Sequence, residues 1–123
     1  MTRVTDTAGD PLLALNLEMM EQESAGNRDY FDALLAPEFA MRRGDLRTVV
    51  GRDAFLCGVS ESARRDTEDL EVVLSTDTLA VIRSTVAMMK DGAERRVVNV
   101  RGFVRSSVDD PWQLLAWINE PPT

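Results

Sequence analysis

The chain has 123 residues, 44% apolar and 28% charged, which suits one small soluble globular domain and excludes general disorder. Its formal net charge of −7 argues against nucleic acid and anionic membranes, both of which attract basic surfaces. Histidine is absent, so Ser-His-Asp triads, histidine-ligated zinc and histidine general bases are excluded within the chain.

Residues 1–9 are small, polar and aperiodic, and read as a loose tail without an apolar signal core. No apolar run approaches the roughly 20 residues that cross a bilayer, so a cytosolic location is expected. Asp10-Pro11 is a helix start, with Asp as cap and Pro in the first turn. The first helix is expected over 11–25, with Leu12, Leu13, Leu15, Leu17, Met19 and Met20 on a broad apolar arc and Gly26 as its stop. Asn27 caps a second helix over 28–36, ended by Pro37. Short strands follow at 39–42 and 47–50 around a turn at Gly44-Asp45, then a third helix opening at Gly51 and packed through Phe55, Leu56 and Val59. The single cysteine, Cys57, permits no intrachain disulfide, which fits a reducing compartment, and it reads as a small packed residue.

Residues 60–67 read as a polar loop. From Glu68 the period becomes two, with Leu70, Val72 and Leu74 alternating with Glu71, Val73 and Ser75. Thr76-Asp77 turns the chain into a long strand over 78–89. Asp91-Gly92 is a two-residue hairpin signal, leading to a second long strand over 93–107. A last strand spans 112–119, and Pro121-Pro122 ends the order. Helices then cover one face of an antiparallel sheet, an α+β architecture in one domain over 10–120. Gly51, Gly58 and Gly102 stand alone, so there is no phosphate-cradling loop, and Asp109-Asp110 alone is too few oxygens for a cation.

Four stretches together carry a family resemblance: 24–39 (SAGNRDYFDALLAPEF), 50–56 (VGRDAFL), 77–83 (DTLAVIR), and 100–105 (VRGFVR) followed by 112–117 (WQLLAW). In content and spacing they resemble the nuclear-transport-factor-2-like superfamily, near the SnoaL-like proteins and small bacterial domains of unknown function. The resemblance implies a cone-shaped α+β barrel, with three N-terminal helices packed on a strongly curved antiparallel sheet. It also implies a pocket between helix one and the concave sheet face and a homodimer formed through the sheet; no cofactor or metal is expected. Superfamily members include isomerases, dehydratases, cyclases, transport factors and assembly domains, so the fold leaves function open. The chain departs from the known enzymes. It lacks the histidine of the dehydratases, and 78–89 and 94–107 lack the aspartates of the steroid isomerases. Its last strand ends in Ile118-Asn119, where many relatives carry His or Gln.

Polar residues on apolar faces are the candidate site. Asn16 and Glu23 fall inside the apolar arc of helix one. The Asp91-Gly92 turn sets Met89 opposite Glu94 and Arg83 opposite Val100. One face then carries Leu79, Val81, Arg83, Thr85, Val98, Val100 and Val104, continued by Leu115 and Trp117, with Arg83 as its odd member. A buried guanidinium there needs Glu23 or a ligand anion. The other face, with Ile82, Ser84, Val86, Asn99, Arg101 and Phe103, reads as a dimer interface or half-solvated surface. Tyr30 and Trp117 complete the ligand-binding set Asn16, Glu23, Tyr30, Arg83 and Trp117. Each also has a structural reading, as a core, capping or ion-paired residue. Three functions follow: a dimer binding a small apolar or acidic ligand; a SnoaL-like enzyme using Glu23, Glu38 or Asp45 as acid–base group; or an assembly module.

Overall fold

Asp10 accepts a hydrogen bond from Leu12 N at 2.9 Å, and Pro11 occupies the first turn, so helix α1 spans Pro11–Ala25 as expected. It ends at Gly26, whose φ of 69° lets the Gly26 and Asn27 amides bond back to Glu23 and Gln22. The computed structural model describes residues 10–43, 47–62 and 65–120. The expected tail at 1–9, the Gly44-Asp45 turn and the Pro121-Pro122 end lie outside them. No described helix is long and apolar enough to cross a membrane.

Helix α2 spans Arg28–Leu34 and stops two residues before the expected end. Ala36 precedes Pro37, which disfavours helical backbone there. Leu35 instead pairs with Leu114, so strand β1 begins at once and spans Leu35–Arg42. Strand β2 is Val49–Gly51, and helix α3 is Arg52–Cys57. Cys57 is exposed rather than packed: α3 buries Phe55 and Leu56, and the next residue is turned away from both.

Strand β3, Arg65–Ser75, starts inside what the sequence suggests is a loop. It is an edge strand, and its polar first residues pair with Thr85 to Met88 without an apolar face to announce them. Its alternation is also broken. Glu68 pairs with Thr85 and Glu71 with Arg83, so the strand carries one extra residue, and Asp69 takes a φ of 51° there. Leu70 and Glu71 are consequently both buried. Strands β4 (Leu79–Lys90) and β5 (Ala93–Val104) meet at Asp91-Gly92, with φ of 53° and 77°, in the expected register. Strand β6 is Gln113–Glu120.

The six strands run in the order β2-β1-β6-β5-β4-β3. Every pairing is antiparallel except β1 with β6, which is parallel, so the α+β sheet is mixed and does not close. Register shifts in three of the pairings bend it around the helices. Leu12, Leu13, Asn16, Met19 and Met20 of α1 face the sheet, and Leu13, Met19, Phe31, Leu70, Ile82, Phe103 and Leu114 are essentially solvent-free. Phe31, Phe39 and Trp117 each stack edge-on or tilted against Phe55 at 5.3–5.7 Å.

Candidate functional site

The inner face of the sheet is the one carrying Ile82, Ser84, Val86, Asn99, Arg101 and Phe103, all buried, and not the Arg83 face. Arg83 stands outside with its side chain 53% exposed and pairs with Glu71. The two faces share one period and differ little in apolar content, so only the position of α1 separates them. Trp117 changes sides with this correction. It pairs with Arg101, and its ring lies 4.1 Å from the guanidinium carbon.

Arg101 is therefore the buried cation, with 1% exposure. It donates to Asn16 Oδ1 at 2.5 Å and to Asn99 Oδ1 at 3.0 Å, and meets Met20 Sδ at 3.1 Å. Asn119 Oδ1 ties the layer together by accepting from Asn99 and, at 2.9 Å, from Trp117 Nε1. No carboxylate among the described residues lies within ion-pair distance of Arg101. Burial lowers its pKa to about 10, and the nearby Glu23 charge opposes that shift. Arg101 Nε, Asn16 Nδ2 and Ser84 Oγ are buried without partners. Asn16 was legible as a misplaced polar residue. Arg101 was not, because its face looked half-solvated.

A cavity of about 170 Å³, here called the mouth cavity, lies between the C-terminal end of α1, β1, α3 and the start of β3. The last turn of α1 brings Glu23 to it, β1 brings Met41, the residue after β1 is Arg43, and α3 brings Phe55. The chain after α3 adds Val59, Ser60 and Ser62, and β3 opens on Arg65. The Ser62 amide donates to Ser24 O at 3.0 Å, which pins that connection to α1. Arg65 donates to Ser62 Oγ at 3.1 Å and sits 3.5 Å from Glu23 Oε1. That oxygen is buried and accepts no hydrogen bond. The sequence placed Glu23 on the inner stripe, but Arg65 and Arg43 sat in segments that read as loop and strand end. Glu38 is exposed on β1, and Asp45 lies outside the described residues; among the described residues, Glu23 is the sole carboxylate lining this cavity.

Tyr30 is half-buried and packs edge-on against Phe31 at 5.2 Å; it does not line the cavity. Burial, with Glu18 nearby, pushes its pKa up, so it stays protonated. A shallower groove of about 690 Å³ runs between α1 and β3, lined by Leu17, Met20, Ala25 and Arg65 among others. Among the described residues no cluster of metal ligands occurs.

No family model matches the chain, and no curated protein matches it. Solved structures do share its architecture. An NTF2-like protein from Cytophaga hutchinsonii superposes with a TM-score of 0.79 at 12% identity, covering 92% of this chain and 97% of that one. A ketosteroid isomerase candidate from Parabacteroides distasonis gives 0.71 at 14% identity, with coverages of 94% and 89%. The CamKII hub homology domain of Chlamydomonas reinhardtii gives 0.70 at 18% identity, with coverages of 94% and 99%. At these identities the likeness establishes the fold alone.

Proposed function

From a chain with the nuclear-transport-factor-2-like fold, we propose a binding module that takes a small anion in the mouth cavity and pairs with a second copy through the outer sheet face. One observation carries the ligand reading. In a protein of net charge −7, the cavity is lined by Arg43 and Arg65, with the buried Arg101 guanidinium within electrostatic reach of Glu23 behind it. Cations gathered against the overall charge in a concave, partly apolar site favour an anionic ligand. The volume of about 170 Å³ is close to that of a cavity that holds benzene, so the ligand has about six non-hydrogen atoms. The test is thermal melting in phosphate, sulfate, formate, acetate and butyrate at constant ionic strength. At about ten times Kd a bound anion adds about 1.4 kcal/mol, or a Tm rise of about 4 °C, and Arg65→Ala is expected to abolish it. No saturable rise with any anion would sink the reading.

The second copy is supported by the outer face itself. Val81, Val100, Val104 and Ile118 turn outward from the centre of the sheet, and Ile118 stays 37% exposed. This apolar patch, with Arg83 beside Val100 at its edge, suits an interaction surface. The likeness in fold to a CamKII hub homology domain supports the same reading. Val100→Glu places a charge in the patch and is expected to shift sedimentation from dimer to monomer while the melting temperature of the monomer is kept. Unchanged sedimentation would place any interface elsewhere.

A further inference from the structure

Glu23 breaks three local rules at once. It is an acid in the last turn of α1, where the helix end is already negative, and that turn has no basic residue. Its Oε1 is buried yet accepts no hydrogen bond. Its ion pair with Arg65 is long, at 3.5 Å, where a charge-assisted hydrogen bond closes to about 2.8 Å. Arg65 meanwhile keeps one guanidinium nitrogen on Ser62 Oγ at 3.1 Å. Among the described residues, the buried oxygen of a carboxylate thus sits in a cationic cavity with only a long contact to Arg65.

We infer that Glu23 is the resident stand-in for a ligand carboxylate: a short-chain monocarboxylic acid binds in the mouth cavity by displacing Glu23 from Arg65. This rests on the reading of that cavity as an anion site. The occupant is a carboxylate because the group it replaces is one, and because a planar guanidinium takes two carboxylate oxygens side by side. The rest of the ligand is apolar, since Met41, Phe55 and Val59 line the cavity beyond the charged groups. A second acid group is disfavoured by Glu23 itself, which stays at the rim after displacement. Glu23 therefore tunes affinity downwards and sets specificity for a single negative charge.

Calorimetric titration of butyrate into the wild-type protein, Glu23→Gln and Arg65→Ala tests this, with butyramide as the uncharged control. Glu23→Ser is run beside Glu23→Gln, so that a folding defect in one does not decide the outcome. Removing the competing charge is expected to tighten butyrate binding about tenfold in both Glu23 variants. Arg65→Ala is expected to lose binding, and butyramide to bind none of the four proteins. Butyrate binding the wild type as tightly as it binds both Glu23 variants overturns the displacement and leaves the anion site standing. Butyrate binding neither wild type nor either variant overturns the monocarboxylate inference and leaves the anion site to the anion panel, whereas butyrate binding Arg65→Ala undiminished overturns both.

Discussion

Asn16→Leu is expected to destabilise the protein by about 3 kcal/mol, although leucine suits the apolar face of α1 better than asparagine. The reason lies across the core. Asn16 Oδ1 takes the 2.5 Å hydrogen bond from Arg101, and both residues are solvent-free. Leucine would leave a buried cation with Asn99 Oδ1, a thioether and the Trp117 ring as its remaining contacts. Arg101→Met keeps an unbranched stem and removes the charge. The double substitution Asn16→Leu with Arg101→Met is therefore expected to be more stable than Asn16→Leu alone, with a coupling of about 2 kcal/mol. Urea unfolding of the four proteins measures both quantities. A cost below about 1 kcal/mol for Asn16→Leu would mean that water or another group compensates the guanidinium.

Gly26→Ala is expected to cost about 3 kcal/mol or more, from two sources. The position has φ of 69°, which penalises any side chain. A Cβ there would also lie 2.5 Å from Glu61 N and 2.6 Å from Ser60 C, both backbone atoms that cannot rotate away. Gly92→Ala is the control. Its φ of 77° carries the same backbone penalty, but nothing lies within 4 Å, so about 1 kcal/mol is expected. The clash at Gly26 would push residues 60–61 from the end of α1 and widen the mouth cavity that Glu23, Ser60 and Ser62 line. The variant should thus weaken anion binding as well as lower the melting temperature, whereas Gly92→Ala should affect only the second. Equal destabilisation by the two would remove the close approach as a cause.

These substitutions bracket the candidate site from two directions. Arg101 and its asparagines form a rigid polar layer below, and the Gly26 corner holds the loop that closes the mouth above. Between them stand Glu23 and Arg65, both partly exposed and loosely paired. A packed layer with a soft rim suits reversible binding better than chemistry that needs a sealed pocket. Among the described residues, Glu23 is nonetheless the single carboxylate positioned for acid–base work there. Turnover retained by Glu23→Gln would therefore rule it out as the base of any reaction found in this protein.

Local chemistry alone determined several parts of this molecule. Asp10, Pro11 and Gly26 bounded α1 because capping and left-handed backbone depend on the residue itself. Asp91-Gly92 set the β4–β5 register because few residues accept a two-residue turn of that hand. The order of helices and long strands, and with it the fold class, followed from these signals and the change of period. The start of β3 did not, because an edge strand with polar residues looks like a loop until its partner is known. Nor did the inward face of the sheet. Alternation sorts residues into two faces but does not say which one a helix covers, and here the outer face is as apolar as the inner. The sequence could therefore name Asn16 and Glu23 from their own helix. Only the folded chain could bring them to Arg101 and Arg65, which lie many residues away on strands whose faces no local rule distinguishes.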